Sequence, residues 1–255
     1  MTLAIFLGVL LTAIMLRLPV AFALLLSSIA MMFYMDSFSV DILAQSLING
    51  VDSFPLLAIP FFLVAGEVMS VGGLSTRIVR MATTFVGHRK GGLGYVAIFT
   101  SVLLAGLSGS AVADAAALVS ILYPMMKQAG YPEGRSMGLL ASGGISAPVI
   151  PPSLPLILVG VAGGISIKDL FLGGIVPGIL MGLTLIIVWS VLIRNEDLPI
   201  APKASVAEKL SSLREGVWAL LLPVIIIGGI RFGVFTPTEA AVVAAVYALV
   251  VSTFI

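Results

Sequence analysis

The chain has 255 residues, of which 60% are hydrophobic and only 10% are charged. A soluble domain carries about a quarter charged residues, so this composition favours a protein that lies in lipid. The net charge of +1 gives no broad electrostatic field that would indicate nucleic-acid binding. The lack of cysteine excludes disulfides, zinc–thiolate sites and a cysteine nucleophile, and the single histidine, His88, excludes any site that needs two.

The first 35 residues contain two apolar stretches, Leu3–Leu16 and Pro19–Met35, separated around Arg17. They form either two short spans or one helix kinked at the proline. Because an arginine at mid-bilayer costs about 2.5–3.5 kcal/mol, we favour two spans with Arg17 at the cytoplasmic face. The start of the chain has no basic n-region and no small-residue cleavage site, so we interpret it as a membrane segment rather than a signal peptide.

Three further segments follow before residue 88. Ser39–Asn49 is mildly amphipathic and flanked by aspartates, which predicts a helix along the membrane interface. Phe54–Val71 predicts a span, with Glu67 near its cytoplasmic end, where we expect the carboxylate to reach the interface. Leu74–Gly87 carries two arginines and predicts a second interfacial helix.

The segment Gly91–Met126 is nearly uncharged and is bounded by basic residues on both sides, so the positive-inside rule places both of its ends in the cytoplasm. Its centre, Gly106–Asp114, is rich in small and polar residues. Each arm has about 15 residues, or roughly 22 Å of helix, which is short for a full span. We therefore predict a re-entrant hairpin with its tip at membrane depth, rather than two full crossings.

The segment Ser136–Ser166 is apolar but is interrupted by the proline-rich stretch Ala147–Ser153. Such a run of prolines cannot stay in a regular helix, so we predict a broken helix with a non-helical middle near the membrane centre. Backbone of that kind is tolerated in a membrane only where protein or a water-filled cavity receives it. Leu170–Ile193 is predicted to be the next span, with glycines at four-residue spacing as a face for close helix packing.

The remaining chain begins with the polar stretch Arg194–Glu215, which predicts a cytoplasmic loop, and continues with the apolar segments Val217–Ile230 and Pro237–Phe254. This topology places 11 of the 13 basic residues on the cytoplasmic side, all except Lys168 and Arg231.

The last helix is introduced by Thr236-Pro-Thr-Glu239, which has the pattern of a capping box. The chain then stops inside an apolar helix without a C-terminal cap, at Ile255, and we interpret this end as a truncation.

A hairpin tip that faces a broken helix is the arrangement from which many secondary transporters build a site. Half-helix N-termini present N–H groups to an anion, while unwound carbonyls coordinate sodium or protons. The alternative is a structural one, a glycine–serine packing seam beside a proline kink. The candidate residues are Ser108, Gly109 and Ser110 at the tip, and Pro148, Pro151, Pro152 and Ser153 at the break.

Asp114 lies in the apolar hairpin four residues after Ser110. An intramembrane carboxylate is by default a hypothesis of function, here as part of an ion network. A negative charge is also favoured near a helix N-terminus, so a capping role is open as well, and the two are compatible.

The string Gly106-Leu-Ser-Gly109 also matches the GxSG pattern of intramembrane serine proteases. Such an enzyme needs a histidine base within hydrogen-bond reach of the serine, and His88 is the only candidate. His88 precedes the hairpin in a basic loop, so we expect an interfacial residue and no enzyme activity.

Five strings, in the order in which they occur, resemble the large permease subunit of TRAP transporters (DctM-like, of the ion transporter superfamily). The likeness covers almost the whole length of the chain. The strings are Pro60–Glu67, Gly106–Ala117, Ile150–Ser153, Leu170–Gly178 and Phe235–Ala240.

The resemblance implies an all-α polytopic membrane protein of the elevator type, with inverted repeats that each contain a re-entrant hairpin and a broken helix. It implies a scaffold over residues 1–88, the first repeat of a transport domain over 89–193 (hairpin 91–126, broken helix 136–166, span 170–193), and a loop with connecting spans over 194–255. Family members run longer, so this chain corresponds to one repeat and the start of the next.

The same resemblance implies sodium-driven uptake of a carboxylate, such as a C4-dicarboxylate or a sugar acid, across the bacterial inner membrane. Sodium would be the coupling ion, without an organic cofactor or transition metal, and Ser108, Gly109, Ser110 and Ser153 would line its site. The implied partners are a small DctQ-like membrane subunit and a periplasmic DctP-like binding protein. A sodium/dicarboxylate- or citrate-type carrier that works without a binding protein, and a membrane scaffold that does not transport, are the remaining alternatives.

Overall fold

The computed structural model describes residues 2–196 and 198–254. Met1, Asp197 and Ile255, which fall within the predicted scaffold 1–88, the predicted polar loop and the chain end, lie outside the described residues. Over the described residues the chain is all-α, as predicted, with twelve α-helices and one 3₁₀ turn. The helices are α1 (Thr2–Met15), α2 (Val20–Tyr34), α3 (Val40–Val51), α4 (Ala58–Val71), α5 (Leu74–Val86), α6 (Gly92–Ser108), α7 (Ala111–Gln128), α8 (Glu133–Gly144), α9 (Leu154–Gly163), α10 (Ile167–Leu192), α11 (Val206–Arg231) and α12 (Pro237–Phe254).

The chain divides into two compact units, and the first, Met1–Ser53, contains α1, α2 and α3. The predicted separation of the first two apolar stretches is confirmed, because α1 ends at Met15 and α2 starts at Val20. With 14 and 15 residues, both helices are shorter than the roughly 20 residues of a typical span, so their crossing of the bilayer stays a prediction.

The second unit, Phe54–Ile255, holds the other helices. In the described part of the chain, four helical segments are long and apolar enough to cross a membrane. This confirms a polytopic membrane protein, while the division into 1–88, 89–193 and 194–255 stays a prediction. The four segments are Phe54–Val71, Ile167–Leu192, Val206–Arg231 and Pro237–Phe254.

Helix α11 corrects the predicted cytoplasmic loop, because it begins at Val206 and not at Val217. A capping box starts it: the Ser205 N–H donates to Glu208 Oε2 at 2.6 Å, and the Glu208 N–H donates to Ser205 Oγ at 3.2 Å. Four of the charges that suggested a loop, those of Glu208, Lys209, Arg214 and Glu215, therefore lie on the first three turns of a helix whose second half is apolar.

The predicted capping box of α12 is confirmed. The Thr236 N–H donates to Glu239 Oε2 at 2.8 Å, and the Glu239 N–H donates to Thr236 Oγ1 at 3.3 Å. Helix α12 then packs along α4, and its far end is fixed by the Ser252 hydroxyl, which donates to the Val68 carbonyl at 3.0 Å.

The predicted glycine face of α10 is also confirmed as a packing face, since Gly174, Gly178 and Gly182 are all buried. A Cβ on Gly174 would overlap the Val149 carbonyl oxygen, and one on Gly178 would overlap the Ile150 side chain. Helix α10 therefore packs directly on the non-helical segment between α8 and α9.

Candidate ion site at the hairpin tip and helix break

Helices α6 and α7 form a tight hairpin with only Gly109 and Ser110 between them. Gly109 has a φ of +60°, in the left-handed region, and its N–H donates to the Ala105 carbonyl at 3.3 Å to close α6. Ser110 is extended and caps α7, with its Oγ accepting from the Ala113 N–H at 3.4 Å. The predicted tip therefore consists of one helix C-terminus and one helix N-terminus within two residues, and its depth in the membrane stays a prediction.

The break in the second element extends from the end of α8 at Gly144 to the start of α9 at Leu154. Pro148, Pro151 and Pro152 lie in it, and the Pro151–Pro152 peptide is cis. Ser153 caps α9 and is fully buried; its hydroxyl donates to the Pro148 carbonyl at 2.6 Å. The hydroxyl of Ser153 thus ties both sides of the break together.

The tip and the break are in direct contact. A Cβ placed on Gly109 would lie 2.9 Å from the Pro152 carbonyl oxygen and 3.1 Å from the Leu154 nitrogen. On the other side, a Cβ on Gly144 would lie 2.8 Å from the Ala111 carbonyl oxygen. The ends of four helices therefore converge on one point, although binding of an ion there stays a prediction.

Asp114 is tied to this point through Ser108. The Ser108 hydroxyl donates to Asp114 Oδ1 at 2.5 Å, and the Ser110 N–H donates to Ser108 Oγ at 3.0 Å. Asp114 is only 4% exposed, and its Oδ2 has no hydrogen-bond partner among the described residues. Both roles considered for Asp114 remain open, because it lies in the first turns of α7 and also orients a hydroxyl of the tip.

Sequence reasoning missed the part that α4 plays. Gly66 packs on the tip so closely that an added Cβ would lie 3.2 Å from the Ser108 Cα. The neighbouring Glu67, which we expected at the cytoplasmic interface, lines a cavity of about 120 Å³ together with Ser108, Ser110 and Asp114. The signal available in the sequence was a glycine followed by a carboxylate within an otherwise apolar span.

The protease alternative does not fit the geometry. His88 precedes α6 and Ser108 ends it, so the whole length of the helix, about 24 Å at 1.5 Å per residue, separates their backbones. An imidazole at that distance cannot act as the base for the serine.

The oxygen atoms at the site that could act as ion ligands belong to serine hydroxyls, backbone carbonyls and one carboxylate. Within residues 2–196 and 198–254 no group of three His, Cys, Asp or Glu side chains is placed to hold a metal ion. Unwound backbone carbonyls and the C-terminal ends of half-helices are the groups that secondary transporters present to sodium.

Comparison with known proteins places this architecture in a family. The model of the family described as "Tripartite ATP-independent periplasmic transporter, DctM component" matches residues 7–255. The 2,3-diketo-L-gulonate TRAP transporter large permease protein YiaN of Escherichia coli is 56% identical over 100% of this chain and 60% of its own length.

Two further relatives are named for other substrates. The C4-dicarboxylate TRAP transporter large permease protein DctM of Pseudomonas aeruginosa is 43% identical over 85% of this chain and 51% of its own length. The sialic acid TRAP transporter large permease protein SiaM of Vibrio cholerae is 41% identical over 93% of this chain and 56% of its own length. The chain thus spans about half to three fifths of the length of these relatives, all of which are named as transporter permeases and not as enzymes.

Proposed function

Because the chain belongs to the DctM family of TRAP transporter large permease subunits, we propose that it supplies one half-site of a sodium-driven carboxylate carrier. It is an integral protein of the bacterial inner membrane. The half-site is the contact of the hairpin tip with the helix break, which we call the tip–break site and define as Ser108–Ser110 with Pro148–Ser153.

The observation that carries this proposal is the approach of Gly109 to the backbone of Pro152 and Leu154. Four helix ends meet there without a bulky side chain between Gly109 and the break, and the tip–break site contains the hydroxyls of Ser108, Ser110 and Ser153 beside main-chain carbonyls such as that of Pro152. The buried Asp114 adds a carboxylate that is hydrogen-bonded to Ser108. An arrangement with many oxygens and one negative charge favours a small hard cation over an anion, and sodium is the coupling ion we propose.

The proposed substrate is a carboxylate. The three relatives are named for 2,3-diketo-L-gulonate, sialic acid and a C4-dicarboxylate, and all of these are carboxylic acids. Identity over the full chain is higher with the diketo-gulonate permease, so we place a sugar acid first.

The proposed assembly includes a small membrane subunit of the DctQ type and a periplasmic binding protein of the DctP type. Both are expected of a tripartite transporter. Loss of uptake on deletion of the binding protein would support this assembly, whereas uptake without it would favour a carrier that works alone.

The experiment that tests the sodium site is thermal unfolding of the purified chain in sodium and in potassium, for the wild type and Ser110→Ala. A ligand that binds only the folded state raises stability by RT ln(1 + [L]/Kd). Ser166→Ala is the matched control, because Ser166 caps α10 through the Asp169 N–H at 3.3 Å and lies outside the tip–break site. Each variant loses a helix cap worth about 1 kcal/mol in both salts.

We expect a sodium-specific increase in the wild type and in Ser166→Ala, and its loss in Ser110→Ala. Equal stability of the wild type in the two salts would contradict a sodium site in this chain. A sodium response that Ser110→Ala retains would place the ion elsewhere.

A further inference from the structure

A small cavity lies between α4 and the hairpin of α6 and α7, and each of these two elements contributes a carboxylate to its lining. Its volume of about 120 Å³ can hold an ion with several water molecules, since one water molecule needs about 10–15 Å³. We call it the acidic cavity, because no lysine, arginine or histidine of the described chain lines it. Its polar lining residues are Glu67, Ser70, Ser75, Ser108, Ser110 and Asp114.

Both carboxylates have oxygen atoms without a partner. Glu67 belongs to the apolar segment Phe54–Val71, is exposed, and makes no hydrogen bond or ion pair with the described residues. Asp114 is buried; Ser108 donates to its Oδ1, while its Oδ2 has no hydrogen-bond partner in the part of the chain that the structure describes. Acidic side chains within membrane segments typically pair with another group or mark an ion pathway, because an unpaired charge there is costly. Since no basic side chain lines the cavity, we expect the balancing charge to come from a bound cation.

Two serines of the cavity add neutral oxygen atoms that are also without partners. Ser70 lies in the last turn of α4, and Ser75 is buried in the first turn of α5. Neither hydroxyl makes a hydrogen bond with residues 2–196 or 198–254. Buried polar groups nearly always have a partner in the protein or in bound solvent, so these hydroxyls are available to water or to an ion.

We propose that the acidic cavity binds a divalent cation, and that calcium fits it best. Two carboxylates balance the charge of a divalent ion, whereas a monovalent ion would balance only one of them. Calcium accepts carboxylate, neutral oxygen and water ligands in a flexible geometry, while magnesium requires a nearly ideal octahedron. The oxygen atoms of the cavity come from three separate helices, α4, α5 and α7, and this arrangement favours the less demanding ion.

The acidic cavity is distinct from the tip–break site. Its described lining includes no residue of the break, although Ser108 and Ser110 border both places. An ion held by Glu67 and Asp114 would tie α4 to the hairpin, because each of the two elements supplies one carboxylate. The proposal does not depend on sodium binding at the tip–break site, and it can be tested in the absence of sodium.

The test measures calcium binding to the purified chain by equilibrium dialysis with radioactive calcium, in a potassium buffer without sodium and with magnesium as the second probe. Titration to about 10 mM exceeds the roughly 0.1–1 mM dissociation constants of weak calcium modules. Glu67→Gln keeps the shape of an exposed side chain and removes its charge. The control Asp41→Asn removes the charge of an exposed carboxylate in α3 that also has no partner among the described residues.

We expect one calcium ion per chain and about ten- to hundredfold weaker binding in Glu67→Gln, the loss typical of a mutated supporting group at a metal site. Unchanged binding in Asp41→Asn would complete the support. Lack of calcium binding by the wild type, retention of it in Glu67→Gln, or equal losses in both variants would each overturn the proposal. Tighter binding of magnesium than of calcium would overturn the choice of ion.

A sodium titration of the same variants keeps this proposal separate from the proposed function. If Glu67→Gln weakened sodium binding while the wild type bound no calcium, the cavity would belong to the sodium site and the divalent site would be refuted. If calcium bound as expected and sodium did not bind, the acidic cavity would stand and the sodium site would fall.

Discussion

The contact between the tip and the break can be tested by one methyl group. In Gly109→Ala the new Cβ would lie 2.9 Å from the Pro152 carbonyl oxygen, closer than Cβ atoms approach other atoms in proteins. The neighbouring atoms at 3.1 Å, Leu154 N and Ser153 Cα, are also backbone and cannot turn away as a side chain would. The tip and the break must therefore separate in this variant.

The expected loss of stability in Gly109→Ala has two parts. Alanine at the φ of +60° costs about 1–2 kcal/mol, because its Cβ approaches the following carbonyl in the left-handed region. Forcing a methyl group into a packed contact typically costs a further 1–3 kcal/mol. We expect Gly109→Ala to lower the free energy of unfolding by about 2–5 kcal/mol in total.

Gly130→Ala separates the two parts. Gly130 has a φ of +75°, but no atom lies within 4 Å of its added Cβ, so this control loses only about 1–2 kcal/mol. The assay is unfolding of both variants in potassium, followed by titration with sodium. If Gly109→Ala were no less stable than Gly130→Ala and kept its sodium response, the close contact and the site derived from it would be refuted.

Three further changes test other contacts of the structure. Asp114→Asn keeps an acceptor for the Ser108 hydroxyl but removes the buried charge. Titration with sodium should then show that the variant binds sodium about tenfold more weakly than the wild type. Unchanged sodium binding would leave Asp114 a capping role only. Trp189→Phe removes the 3.0 Å bond from the indole N–H to the Gly91 carbonyl, which keeps its 3.0 Å bond from the Gly94 N–H. The loss of this one hydrogen bond should lower the unfolding free energy by about 0.5–1.5 kcal/mol in a denaturant titration, and a negligible loss would show that the bond does not stabilise the contact between α10 and α6. Ser205→Ala should cost about 1 kcal/mol through the lost cap of α11, measured in the same way, and a shortened helix without loss of stability would argue that the cap is dispensable.

The helix hairpin and the break could be predicted because their signals are local. Basic residues on both sides of a nearly uncharged stretch gave limits of 91 and 126, close to the observed start of α6 at Gly92 and end of α7 at Gln128. Three prolines within five residues have no backbone N–H to donate, and they disfavour helical φ/ψ in the residues before them. These two effects predict the interruption that the structure shows between Gly144 and Leu154.

The prediction of where α11 starts was wrong for an equally local reason. Charge density was taken as evidence for a loop, although Ser205 and Glu208 have the spacing of a capping box. The same pattern was recognised at Thr236, where an apolar run follows at once. A polar first half does not prevent a helix when its exposed face can hold the charges.

The role of α4 at the site could not be predicted from local pattern. Gly66 and Glu67 meet the hairpin only because the fold brings α4 against α6, and nothing in the span itself specifies that register. Asp114 was recognised as a candidate, but its bond to Ser108 depends on the two-residue turn between α6 and α7. Long-range contacts of this kind require the packed structure.

The glycines of α10 have a mechanical consequence. Gly174 touches the Val149 carbonyl, Gly178 touches Ile150, and Gly182 touches Val102 of α6, so main chain rests on main chain or on short, branched side chains. A layer of long, flexible side chains between the two elements would allow the break to slide against α10. Because these contacts are direct, we expect the break, the hairpin and α10 to move together as one rigid unit, so that the contact between tip and break keeps its geometry when the neighbouring helices move.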